Sequence, residues 1–262
     1  SASLSWRFTP VSFWSSSVSA NWYDRDESTT SPGILPFDAV PPTGADIDFT
    51  RTEFNWVNTL GNTSTYWANV GVETRNEKGT SVGYMYDPSV FPINFGLERD
   101  IDSAFLNLNG YVLKSLLLQA SVRSDDADGV DTNTSGQFGA KYSFNNDWTL
   151  FANWGEAFKL PSFFALGHSL VGNPDLLPET VETWDAGIEF ARAHYSARMS
   201  YFDHRYSNLI DFDSETFKNV NRSRVDTSGV ELEVSWQAQD NLHLRAHATY
   251  IDIDVVDSES VL

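Results

Sequence analysis

Apolar and polar residues alternate with a period of two along most of the chain, the spacing of strands whose two faces meet different surroundings. In Lys114–Ser124, Leu116, Leu118, Ala120 and Val122 share one face, opposite Ser115, Gln119, Ser121 and Arg123. In Asp226–Gln237 the apolar set is Val230, Leu232, Val234 and Trp236, opposite Glu231, Glu233, Ser235 and Gln237. Asn241–Tyr250 sets Leu242, Leu244, Ala246, Ala248 and Tyr250 against His243, Arg245, His247 and Thr249. The same ladder recurs in Ala2–Phe8 and near 14–23, 50–58, 65–75, 101–109, 137–144, 147–154, 181–190 and 194–203. Together these predict about twelve strands.

The connections fall into two classes in strict succession. Short turns are predicted near Thr9-Pro10, Gly61-Asn62, Tyr111–Leu113, Asn145-Asn146, Ala191-Arg192 and Gln239-Asp240. Between them come longer links, at roughly 25–48, 77–99, 125–132, 157–179 and 207–225. Short turns at one rim and long loops at the other are the pattern of an up-and-down barrel in an outer membrane. Trp14, Tyr66, Tyr142, Phe144, Trp148 and Trp236 lie beside the short turns, where an interfacial aromatic girdle would sit. A soluble sandwich also alternates, but faces carrying Glu, Arg, His and Asn together would be costly in its dry core. A wet lumen accepts them. The expected fold is therefore all-β, a transmembrane antiparallel up-and-down β-barrel.

Composition narrows the function. No stretch approaches the ~18 consecutive apolar residues of a membrane helix, and a spanning β-barrel leaves no such signal because only every second residue faces lipid. The absence of cysteine excludes a disulfide framework and thiol chemistry. A net charge of −19 argues against nucleic acid, whose phosphates require clustered Lys and Arg. His194, His204, His243 and His247 have no Ser-based motif around them, so an outer-membrane enzyme is not expected. The chain opens directly on an alternating run and breaks off at Val261-Leu262 just after another, so it is read as an internal fragment of a longer barrel protein.

The segment Trp154–Glu179 carries the most specific wording: Glu156-Ala157-Phe158-Lys159-Leu160-Pro161, then Gly172-Asn173-Pro174-Asp175-Leu176-Leu177-Pro178-Glu179. It follows the strand Asp147–Trp154 and precedes Thr183-Trp184-Asp185-Ala186-Gly187-Ile188-Glu189. Arg198–Asp213 with its Asn208-Leu209-Ile210 run, and Asp226–Glu233 with Gly229-Val230-Glu231, come next in order. These elements, over roughly 99–254, resemble the C-terminal half of the barrel of TonB-dependent outer-membrane receptors, and lean toward the cobalamin-transporter-like and siderophore branch. Lys159 stands where the family usually has Arg.

The resemblance implies a barrel of roughly 22 strands, incomplete here at both ends, with residues 1–262 as one partial barrel domain. It implies a Gram-negative outer-membrane importer of a ferric siderophore or cobalamin, with no covalent chemistry. Its partners would be outer-membrane lipid, a small-molecule chelate or vitamin, and a TonB-type inner-membrane complex acting through a plug outside this chain. A monomer is expected, and no cofactor beyond the transported ligand. Phe158, Pro161, Gly172–Glu179, Gly229 and Glu231 are expected mainly to shape structure. Candidate ligand contacts are Phe163, Phe164 and His168 in the long loop and Arg205, Arg222 and Arg224 near the next. For the arginines, local ion pairs with nearby carboxylates compete with binding an anionic chelate. His168 raises a haem receptor as an alternative, because imidazole is a common haem-iron ligand. A passive porin-like channel is the other. Asp126, Asp128 and Asp131 form an oxygen-rich loop that would suit an irregular calcium site, although the bidentate Glu of the helix–loop–helix site is missing.

Overall fold

The computed structural model describes residues 1–35, 41–86 and 89–256; the chain end at Val261-Leu262 lies outside them. The alternating runs become a single antiparallel sheet of 13 strands. In chain order these are β1 (Ala2–Val11), β2 (Trp14–Ser31), β3 (Thr43–Gly61), β4 (Tyr66–Tyr86), β5 (Val90–Pro92), β6 (Phe95–Leu113), β7 (Leu116–Ala127), β8 (Asn133–Ser143), β9 (Trp148–Lys159), β10 (Glu179–Arg192), β11 (Tyr195–Asp213), β12 (Lys218–Gln239) and β13 (Leu242–Val256). Each pairs with its successor, except that β4 pairs with both the short β5 and β6. One five-residue helix, α1 (Phe163–Gly167), lies between β9 and β10. No described helix is long and apolar enough to cross a membrane.

All twelve predicted strands are present; β5 is an addition. The predicted long links are mostly not loops. β2 pairs with β3 from Trp14↔Leu60 to Ser31↔Thr43, so much of 25–48 is ladder. Likewise Glu77↔Arg99 and Ser81↔Phe95 extend the β4–β6 pairing through 77–99, and Asp213↔Lys218 closes the 207–225 link to a tight hairpin. The reason is physical. Above the apolar band, stretches such as Asp24–Thr30 are polar on both faces. Hydrophobic alternation disappears there while the backbone hydrogen bonds continue.

The register sorts side chains onto two faces. Along β12 one face reads Trp236, Val234, Leu232 and Val230 before turning polar at Asp226 and Arg224. The same face carries aromatic clusters beside the short turns: Trp148 lies 4.8 Å from Phe190, and Tyr195 stacks on Trp236 at 6.0 Å. Farther up, Trp154 and Trp184 both donate through Nε1 to Glu182 Oε1 at 3.1 Å. Aromatic rings bracketing an apolar band mark the depth of a lipid layer.

The other face is polar, with small clusters of apolar side chains. Two motif glycines are explained on it. A Cβ at Gly187 would strike the Phe151 ring, and one at Gly229 would strike the Phe202 ring and the Tyr250 carbonyl. Both rings are buried over these glycines, covering backbone that would otherwise lack a packing partner. Glu231 lies on this face, between Ser200 on β11 and Thr249 on β13.

Candidate functional site

The connection from β9 to β10 is a strap laid back along the polar face. It starts at the pair Lys159↔Glu179, whose ammonium and carboxylate meet at 2.8 Å. Glu179 also accepts from the Ile210 N–H at 2.9 Å, so one motif side chain joins the strap base to β11. Phe158 is the last paired residue before Lys159, opposite Thr180. Ser162 caps α1 by accepting from the Ala165 N–H at 3.1 Å, satisfying one orphan donor of the helix start.

The far side of the strap docks on β3, β4 and β6. Phe163, 8% exposed, lies 6.3 Å from Phe49 and against Gly79. A Cβ at Gly79 would come within 3.2 Å of its Cε2 and nearer still to Cδ2, so glycine there opens the seat for the ring. Arg99 lies over the ring at 4.7 Å and donates from Nη1 to Pro161 O at 2.8 Å. Gly167 fits against Phe95 and Leu97. The docking is thus aromatic, cationic and hydrogen-bonded together.

Beneath it lies a charge cluster centred on one buried carboxylate. Glu77, 2% exposed, pairs with Arg99 at 2.7 Å, Arg51 at 2.9 Å and Arg75 at 3.7 Å. A second network, Arg123 with Glu73, Asp125 and Ser103, adjoins it on the same face. The sequence reading missed Glu77 and Arg99, because both fell at the ends of a presumed loop.

The near side of the strap is held by the β11–β12 hairpin. Buried Asn219 donates its backbone N–H to Val171 O at 2.8 Å and its Nδ2 to Ala165 O at 3.4 Å, and its own carbonyl accepts from Asn173 at 2.9 Å. Asn221 exchanges two hydrogen bonds with Leu177, and Asn208 donates to Pro178 O. Asn173 also accepts from the Asp175 N–H, the turn set by the prolines Pro174 and Pro178 on either side. Leu176 is buried. A Cβ on Gly172 would meet the backbone of His168 and Leu166, so this position admits only glycine without a shift. The motif is a clasp.

His168 closes the turn. Its Nδ1 faces the N–H groups of Leu170 and Val171, each at 3.3 Å, and its ring packs 4.7 Å from Phe164. Burial, together with the neighbouring Lys218, holds the imidazole below its ordinary titration range. A neutral ring accepting at Nδ1 carries its proton on Nε2. Phe164 is 50% exposed, whereas its neighbour Phe163 is buried.

The other candidates are placed elsewhere. Arg205, Arg222 and Arg224 fall by register on the face continuous with the apolar band, not on the face that holds the strap. They pair there with Asp203 at 3.6 Å, Asp211 at 3.4 Å and Asp226 at 2.6 Å. Local ion pairs are what the geometry shows. Asp126 accepts from Thr132, and Asp128 from the Asp100 N–H. Among the described residues no group of three or more His, Asp or Glu side chains is placed to hold a metal ion together, and this includes Asp126, Asp128 and Asp131.

Residues 1–260 match the family described as TonB dependent receptor-like, beta-barrel. The chain belongs to the TonB-dependent receptors. As such it is part of the β-barrel of a Gram-negative outer-membrane protein. Among solved structures it is similar to the copper transporter OprC (18% identity, TM-score 0.76, covering 97% of this chain and 46% of that one). It is also similar to the ferric yersiniabactin uptake receptor FyuA from Yersinia pestis (15% identity, TM-score 0.78, 96% and 42%). A third is the siderophore receptor PirA from Acinetobacter baumannii (16%, 0.72, 95% and 43%). The chain spans less than half the length of each, and at these identities the likeness concerns the fold.

Proposed function

We propose that the receptor containing this chain imports a scarce metal chelate, a ferric siderophore or cobalamin, and that the strap carries part of its contact surface. The observation behind this reading is the half-exposed Phe164, packed at a tilt 4.7 Å from a neutral His168 on a strap held by a clasp on one side and a dock on the other. Such a rigid apolar face can contact a ligand without first being ordered, which saves the entropy of fixing a loop. Energy would come from a TonB-type inner-membrane complex, and binding would be coupled to movement rather than bond chemistry.

Iron ligation by His168 in a haem receptor has less support. A metal on Nε2 requires the proton to move to Nδ1, where it would face two backbone N–H donors. In the intact receptor, loss of the gene should abolish uptake of one radiolabelled metal chelate, and an uncoupler should do the same. Uptake that persists with the uncoupler, or ion conductance through the receptor in a bilayer without an energy source, would instead establish a passive porin-like channel.

A further inference from the structure

The strap's position is governed from a wall strand. We infer that Glu77 is the positioning residue of the strap and acts through Arg99. Glu77 Oε2 accepts from Arg99 Nε at 2.8 Å and pairs with Nη2 at 2.7 Å. A guanidinium is planar, so two nitrogens fixed by one carboxylate set the direction of the third. That third nitrogen, Nη1, is the donor to Pro161 O, and the same plane lies over Phe163. Arg51 binds the other carboxylate oxygen, Oε1, and lies over Phe49 at 5.7 Å without a hydrogen bond to the strap. Removing the carboxylate charge leaves Arg51, Arg75 and Arg99 as neighbouring like charges, and Arg99 swings away from Pro161.

Any effect on cargo rests on the function proposed above; the positioning itself does not, and it is read without ligand. The chain contains no cysteine, so Ala165→Cys places a single thiol in it, at a site in α1 that is buried in the docked strap. In the intact receptor, with any thiol elsewhere removed, the rate of maleimide labelling reports strap opening. Glu77→Gln and Arg99→Lys should each raise that rate about tenfold or more, the loss expected for a charge-assisted hydrogen bond. Arg51→Gln should leave it within about twofold, because the Arg99 geometry survives. Arg99→Lys keeps the cation beside Glu77, so its effect separates strap positioning from wall repulsion. Parental labelling in both Glu77→Gln and Arg99→Lys overturns the inference. So does an Arg51→Gln rate equal to that of Glu77→Gln, which would make the cluster a general brace of the wall. If labelling rises as expected while chelate uptake is unchanged, Glu77 positions the strap and the strap does not touch the cargo.

Discussion

Gly79→Ala isolates the dock of the strap from the rest of the receptor. The added Cβ would lie 3.2 and 3.3 Å from Cε2 and Cγ of Phe163 and nearer still to Cδ2. Overpacking of this kind costs about 1–3 kcal/mol. The wall cannot yield easily, since β4 is hydrogen-bonded along its length to β3 and β6. The ring can. Its seat is worth about 1.5–3 kcal/mol of burial and about 0.5–2 kcal/mol of cation–π attraction to Arg99, so the clash is comparable to what holds the ring in place. The closed-to-open ratio of the strap should therefore fall about five- to 150-fold. Hydrogen exchange reads this directly, because the N–H groups of Leu166, His168, Gly172 and Asn173 bond only within the strap. Their exchange should accelerate by that factor, while amides of the β8–β9 ladder, such as Ala140 and Ala152, keep the parental rate. Unchanged strap exchange, or acceleration only together with the β4 ladder, would refute the docking argument.

Acidification should loosen the turn after α1. The folded state depresses the His168 pKa, so its contribution is complete above the unfolded value of about 6.5 and is lost as pH falls below it. Exchange at Leu170 and Val171, corrected for intrinsic rate, should be faster at pH 5 than at pH 7.5, and His168→Phe should remove that difference; a pH-independent ratio in the parent would contradict the assignment. Asn219→Ala removes a buried amide from the clasp and should cost about 1–3 kcal/mol locally, read as faster exchange at Asn173 with the β11–β12 ladder intact. Gly229→Ala should lower the thermal midpoint more than Gly96→Ala, since only the former places Cβ against a ring and a carbonyl. Arg205→Ala combined with Arg224→Ala should leave chelate affinity of the intact receptor within about twofold, because both side chains lie on the membrane-side face and surface pairs contribute little; a tenfold loss would return them to the ligand site.

What could be read in the sequence was set by whether one face of a strand meets lipid. Where it does, as in Leu116–Val122 or Val230–Trp236, the two-residue period is unbroken and the strand is legible. Above that level both faces are wet, the period vanishes, and Glu77 and Arg99 were assigned to a link although they are register partners. The strap shows the opposite case. Its prolines and Gly172 were legible as turn makers, yet which way each side chain points depends on strands far away in sequence. Phe163 and Phe164 are adjacent and chemically identical; one is buried on Gly79 and Arg99, the other half-exposed. No local rule separates them. The choice is made by a glycine 84 positions earlier that leaves room for one ring, and by a carboxylate two residues before it that aims the guanidinium covering that ring. The specificity of the strap therefore depends on the wall, and substitutions in β4 and β6 should alter loop position more than substitutions at the exposed tip.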